Sequence, residues 1–259
     1  MPTVKELYDC LNKKIPPSLS CEWDNDGLMV CADTSAEVKR VLLALDATDA
    51  VAKYAAENGF DTIVTHHPMI FSPLRSLTEL DPTAKKALFL AEKGISVMSF
   101  HTRLDAAQGG VNDVLASKLG VLDTHEFGPD GEKLGRVGTL ESPMDFRAFC
   151  LDVSRALGSP FVSAIGEEGS VSRVALLGGG GKDFVKSAFY EGADVFVTGE
   201  VTYNVMLDAK AMGLRLVTAG HYHTERPVLS AIDNMIRESF GDIDIREYPY
   251  DTEIFAVRS

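Results

Sequence analysis

The chain contains its own copy. Laid against itself with a shift of 133 positions, RVLLALDATDAVAKYAAENGFDTIVT (40–65) falls on RVALLGGGGKDFVKSAFYEGADVFVT (173–198) without a gap, and nine of the 26 positions are identical. Gly59 meets Gly192, Asp61 meets Asp194 and Thr65 meets Thr198. Each copy reads as an apolar run, a turn, a helical stretch, a glycine and a second apolar run. That is a strand–helix–strand unit of a parallel sheet. Units of this kind share punctuation even when unrelated, but the gapless offset favours duplication.

The likeness continues. The first copy is followed by a helix around 83–93, Gly94, the strand ISVMSF and His101; the second by a helix around 204–212, Gly213, the strand LRLVTAG and His221. Glycine after a helical run is a C-terminal cap signal. The fold expected is therefore α/β: two related lobes formed by internal duplication, with mixed sheets flanked by helices. The polar, Gly/Pro-rich stretch HEFGPDGEKLG (125–135) reads as the joint. This gives a first lobe over 1–125 and a second over 130–259, together one compact unit. IDIREYPYDTEIFAVRS at the C-terminus reads as a final strand or strand pair.

Ligands of open α/β sheets gather beyond the carboxyl ends of strands. Four such ends carry chemistry: Thr65-His66-His67-Pro68, His101 to Asp105 (HTRLD), Thr198-Gly199-Glu200, and His221 to Glu225 (HYHTE). Five of the six histidines fall there. Neutral imidazole is a common metal ligand near pH 7, and carboxylates add hard oxygen ligands that offset the charge of a cation. H-x3-D at 101–105 answers H-x3-E at 221–225. So many donors exceed the three protein ligands usual for one catalytic zinc. Two metals about 3.5–4 Å apart are favoured, and one metal with neighbouring histidines is the smaller alternative.

Other features are less specific. WDNDG (23–27) holds the only tryptophan. It reads as a tight turn with a core Trp23, or as a substrate-side wall from Trp23, Asp24 and Asn25. GGGG (178–181) lacks the P-loop spacing, and Asp183 stands where that motif needs Ser or Thr. It remains a tight turn, a close approach of backbone, or an anion nest. Arg75, Arg103 and Arg226 are the cations near the motifs; Arg103 and Arg226 are candidates either to hold an anionic substrate or to pair with a ligand-loop acid.

Composition sets the limits. At 259 residues the chain can bury roughly 70% of its unfolded surface, so it needs neither disulfide nor metal merely to fold. The net charge of −13 argues against general binding to duplex DNA or an anionic membrane. Four cysteines without a CxxC pair fit free thiols in a reducing compartment. The opening MPTVKELYDCLNKKIPP reads as an amphipathic helix ended by a proline pair and not as a secretory leader. The expectation is a cytoplasmic protein.

WDNDGL (23–28), THHPMIF (65–71), HTRLDAAQGGVN (101–112), VTGE (197–200) and AGHYHTE (219–225) together resemble the signature blocks of the NIF3-like (DUF34) family, also called GTP cyclohydrolase 1 type 2 homologues. The resemblance implies a dinuclear metal centre between the lobes, held by His66, His67, Asp105, His221 and Glu225; such nitrogen and oxygen donors suit zinc, iron and manganese alike. His101 stands beside it as a proton shuttle or supporting group. It also implies a toroidal homohexamer. Many relatives carry a histidine near the start of the helix after the VTGE block, where this chain has Asn204. The expected activity is metal-dependent hydrolysis of a small molecule: a nucleotide, a phosphoester, or a cyclic amide or amidine. The alternative is a non-enzymatic metal-binding regulator, metallochaperone or interaction scaffold.

Overall fold

The computed structural model describes residues 1–249. Among them run eleven strands: β1 (Gly27–Val30), β2 (Arg40–Ala44), β3 (Thr62–Thr65), β4 (Ser96–Ser99), β5 (Val121–Phe127), β6 (Gly135–Asp145), β7 (Ser163–Ile165), β8 (Ser170–Gly180), β9 (Val195–Glu200), β10 (Arg215–Thr218) and β11 (Asp244–Glu247). They belong to two compact units. One is Met1–Ala107 with the chain from Leu229; the other is Gln108–Val228.

The first unit has the sheet order β1-β4-β3-β2-β11, with β1 antiparallel and the rest parallel. Val41, Leu42, Ile63, Val64, Val97 and Met98 are fully buried. Such runs of apolar residues without alternation suit strands covered on both faces. The N-terminal helix Val4–Lys14 buries Val4, Leu7 and Leu11, and a reciprocal Thr3–Glu6 capping box starts it.

The second unit has the order β5-β6-β8-β9-β10-β7. Its centre, β8-β9-β10, is parallel, while β5, β6 and β7 add antiparallel edges. Phe149, Val153, Val174, Leu176, Val195 and Val197 pack in its core.

The duplication is real at the level of register. In the first unit Val41 pairs with Thr62 and Leu43 with Val64; in the second Val174 pairs with Val195 and Leu176 with Val197. Every one of these is displaced by the same 133 positions. The identical residues also do identical work. The Asp61 carboxylate accepts from the backbone N–H of Lys39 and Arg40, and that of Asp194 from Ser172 and Arg173. The Arg40 guanidinium donates to the Asn58 carbonyl, and Arg173 to that of Glu191. Gly59 and Gly192 take φ of 68° and 70°, a left-handed conformation that closes the helix before the second strand.

Two expectations about the ends of the lobes are corrected. Residues 125–135 are no joint between lobes. His125, Glu126 and Phe127 complete β5, and the Gly/Pro cluster turns the chain into β6, so the stretch is a hairpin within the second unit. Turn residues alone do not distinguish a hairpin from a linker. The units instead part at 107/108, just before the left-handed Gly109. The chain from Leu229 also does not stay with the second unit. The helix Leu229–Arg237 buries Leu229, Ile232 and Ile236, and β11 then pairs in parallel with β2. That covers the open edge of the first sheet. The remainder of the expected C-terminal strand pair, from residue 250, lies outside the described residues.

Replacing Asp61 or Asp194 by Ala should lower stability by about 1–2 kcal/mol each, because either change removes the acceptor of two backbone donors. Urea unfolding of the two variants should give losses of similar size.

Candidate metal centre

Three histidines converge in the first unit. His66 and His67 follow β3 directly, and His101 follows β4, the neighbouring parallel strand. Adjacent parallel strands end side by side, so their next residues must meet. One ring nitrogen from each of the three lies within 4.8 Å of the others. Asp105 sits one turn into the short helix Thr102–Ala106, its Oδ1 at 3.6 Å from His66 Nε2.

The other ring nitrogen of each histidine is already engaged. His66 Nδ1 is 2.9 Å from the Phe100 carbonyl oxygen. A carbonyl only accepts, so His66 carries its proton on Nδ1 and presents a lone pair at Nε2 when neutral. His67 Nδ1 lies 2.8 Å from Asp46 Oδ1, and His101 Nδ1 lies 2.9 Å from Asp24 Oδ1. This is the support that metal-bound histidines receive, which fixes the ring and its tautomer. His66 is fully buried and Asp105 is 8% exposed.

The second unit supplies its own donors. His221 and Glu225 lie on the short helix His221–Glu225 beyond β10, with His221 Nε2 at 3.2 Å from Glu225 Oε2. His221 Nδ1 is 3.1 Å from Glu200 Oε1, at the end of β9. The glycine run explains itself here. A methyl group on Gly179 would collide with the Glu225 carboxylate and lie 3.1 Å from His221 Nε2; one on Gly178 would lie 3.1 Å from Glu225 Cγ. Gly179 also has φ of 67°. The run ends β8 as a bare backbone surface on which the acid and the imidazole rest. Asn112 and Thr224 hold that surface by accepting from the N–H of Gly178 and Gly179. Of the readings open for this run, close approach is the one realised.

The motif match between the halves is offset by one residue. Phe100 N–H donates to the Thr65 carbonyl and Ala219 N–H to that of Thr198. Phe100 therefore corresponds to Ala219, and His101 to Gly220 instead of His221. His223 packs edge-on against Tyr222 at 5.5 Å between ring centroids.

WDNDG is a clamp on the His101 turn. Asp24 Oδ2 accepts from the backbone N–H and hydroxyl of Thr102, and Asp26 Oδ2 from His101 N–H and Arg103 Nε. Burial alone would raise the Asp24 carboxyl, but hydrogen bonds from His101 and Thr102 and the charge of His101 hold it down to about 2. Gly27 has φ of 117° and is packed by the Tyr8 hydroxyl. Trp23 is not a core residue: it is 59% exposed. Its neighbours Asp24 and Asn25 are hydrogen-bonded to His101 and to the Ile70 carbonyl, and its own ring meets those of Phe71 and His101.

Arg103, expected as a substrate-side cation or a partner of a ligand-loop acid, is 1% exposed. It binds Asp26, Asn12 and the Ile15 carbonyl and lies over the Phe100 ring. It is committed to holding the turn against the N-terminal helix. Asn25 is exposed and donates to the Ile70 carbonyl at 2.5 Å. Arg226 is exposed at the start of the turn Arg226–Val228. Asn204 accepts from the Thr202 hydroxyl. Asp46 and Glu200, both at carboxyl ends of strands, support His67 and His221, a role that no local spacing signals.

Nitrogen and carboxylate donors in these two sets suit a divalent metal. A spacing of 3.2–3.6 Å between donor atoms lets two of them reach one cation with bonds of about 2.0–2.2 Å. Fold and donors together define a duplicated α/β protein with metal-binding capacity. The family model described as Duf34/NIF3 (NGG1p interacting factor 3) matches residues 2–253, and the chain belongs to this family. The GTP cyclohydrolase 1 type 2 homolog of Clostridium perfringens is 32% identical over 241 residues, 91% of each chain. The protein NIF3 homolog of Schizosaccharomyces pombe is 33% identical over 231 residues, covering 83% of this chain and 82% of its own. Among solved structures, reduced HcgD from Methanocaldococcus jannaschii has a TM-score of 0.83 at 29% identity, covering 96% of this chain and 98% of that one. The Bacillus cereus protein related to NIF3 shares the fold, with a TM-score of 0.91 at 22% identity over 100% of this chain and 99% of that one.

Replacing Arg103 by Met should cost about 3–5 kcal/mol in urea unfolding, because Asp26 is left buried without its cation. Replacing Gly179 by Ala should weaken metal retention in elemental analysis of the purified protein, by pushing Glu225 and His221 off the glycine surface.

Proposed function

We propose that the protein is a metal-dependent hydrolase in which His66, His67, Asp105, His221 and Glu225 hold two divalent cations. The observation that carries this is the anchoring of His66, His67 and His221 through Nδ1, by Phe100, Asp46 and Glu200 respectively. Each ring is thereby preset to offer Nε2. Zinc, manganese and iron(II) all accept such a donor set. Two bound cations supply an activated water near neutral pH and polarise the bond to be cleaved.

The chain's own part is orientation and proton handling. Asp24 fixes His101 through Nδ1, which leaves Nε2 to exchange a proton with a leaving group. Asp105 and Glu225, both almost fully buried, bring the negative charge that compensates the cations. Nucleotides, phosphoesters and cyclic amides or amidines all have bonds suited to such chemistry. The family likeness further supports a working form of six copies in a ring, and the four cysteines without a CxxC pair support a reducing, cytoplasmic setting. Among the described residues no helix is long and apolar enough to cross a membrane.

Protein loaded with zinc, manganese or iron(II) should hydrolyse a member of these substrate classes. Asp105→Ala should abolish turnover and lower bound metal while circular dichroism stays unchanged. No turnover with any metal, together with fast transfer of metal to a chelating acceptor, would replace the hydrolase with a metal carrier.

A further inference from the structure

The helices Asp49–Glu57 and Pro82–Glu92 pack against each other on the first sheet, and a groove of about 590 Å³ opens between them. Its floor is apolar. Ala52 is buried, and Ala56 and Phe89 are half-buried against the first core. Its rim is basic: Lys53, Lys85, Lys86 and Lys93 line it, against the two acids Asp49 and Glu57. Bases thus outnumber acids here, in a chain that carries 25 bases and 38 acids.

The two acids do not neutralise the rim. Glu57 lies 3.7 Å from Lys53, and Asp49 lies 3.9 Å from Lys86. Long pairs with exposed acids hold weakly. Among the described residues Lys85 and Lys93 form no ion pair, and Lys93 Nζ reaches over the Phe89 ring at 6.0 Å.

The second unit shows that the fold does not need these lysines. Ser96 pairs with Thr62 in one sheet and Arg215 with Val195 in the other, so β4 and β10 are related by 119 positions. Gly94 and Gly213, which close the preceding helices, keep that offset. The places of Lys85, Lys86 and Lys93 are taken in the second unit by Asn204, Val205 and Met212, and only Lys53 has a lysine counterpart, Lys186. The basic rim is particular to one copy of a shared scaffold.

We propose that this groove docks an acidic amphipathic helix of a partner protein, its apolar ridge on Ala52, Ala56 and Phe89 and its flanking carboxylates on the four lysines. A groove between two packed helices accepts the ridge of a third. Such docking uses apolar anchors at i, i+3 or i+4, and i+7. The helix Asp49–Glu57 is about 14 Å long, which suits three anchors. Ala52 and Ala56, one turn apart, let the incoming helix come close. None of the groove residues belongs to the metal donors, so the site stands or falls independently of the hydrolase reading.

The probe is a fluorescein-labelled 14-residue helical peptide with leucines at i, i+3 and i+7 and glutamates on both flanks, read by fluorescence anisotropy with the full-length protein. It should bind saturably and more weakly as salt rises, and the same peptide with lysine for glutamate should not bind. Lys85→Glu combined with Lys93→Glu should weaken binding about 5-fold or more, and the corresponding pair of arginine substitutions should retain it. Lys186→Glu, in the second unit, should leave it unchanged. Absence of saturable binding, equal binding of the lysine peptide, or unchanged affinity of the charge-reversed protein with its circular dichroism intact would overturn the proposal. Equal competition by a single-stranded oligonucleotide would make the rim a general polyanion surface instead. A change of assembly in sedimentation on charge reversal, without peptide present, would assign the groove to a second copy of this chain and overturn it as well.

Discussion

The chemistry attributed to this protein depends on where the imidazole protons sit. A histidine ring offers one lone pair when neutral, and nothing in the residue itself decides which nitrogen carries it. Here neighbouring acceptors decide. The Phe100 carbonyl takes the Nδ1 proton of His66, and Asp46, Glu200 and Asp24 stand at Nδ1 of His67, His221 and His101. Each acceptor comes from the carboxyl end of a strand or from a segment bound to one. The sheets therefore set the ring orientations as well as the positions.

Duplication supplied the framework, and divergence gave its two copies different tasks. Asp46 and Gly179 occupy the same place in the repeat, as do His67 and Glu200. In the first unit the acid follows β2 and the histidine follows β3. In the second, glycine follows the equivalent part of β8, and the acid at Glu200 supports a histidine brought by the helix His221–Glu225. A side chain at Gly179 would occupy the space that His221 and Glu225 use. One copy places His66 and His67 at a strand end, and the other clears its strand end beneath the helix that carries His221 and Glu225. Register is retained, because the Asp61 and Asp194 carboxylates lock the strand starts in the same way.

Much of this was legible in the sequence, for identifiable reasons. The offset of 133 positions is visible because both copies need the same glycine, aspartate and apolar runs to form the same paired strands. The convergence of His66, His67 and His101 follows from adjacent parallel strands. What escaped reading depends on partners remote in sequence. Arg103 is charged and lies in a ligand loop, yet Asp26 and Asn12 bury it from 77 and 91 positions away. Trp23 does not reach the core because the acids of its turn, Asp24 and Asp26, take the inward positions on His101, Thr102 and Arg103. The Gly/Pro cluster at 128–131 carries the same signature in a hairpin as in a linker. The return of the chain from Leu229 to the first sheet is set by the open edge of β2, which local pattern does not reveal. The spacing shared by 101–105 and 221–225 hid a one-residue offset that only backbone hydrogen bonds expose.

The most direct measurement is a crystal structure of the metal-loaded protein with anomalous scattering recorded at the metal's absorption edge. Two peaks per chain are expected, bonded to Nε2 of His66, His67 and His221 and to the carboxylates of Asp105 and Glu225, with every Nδ1 contact retained. Metal bonded through Nδ1, or absent from these residues altogether, would contradict the central claim.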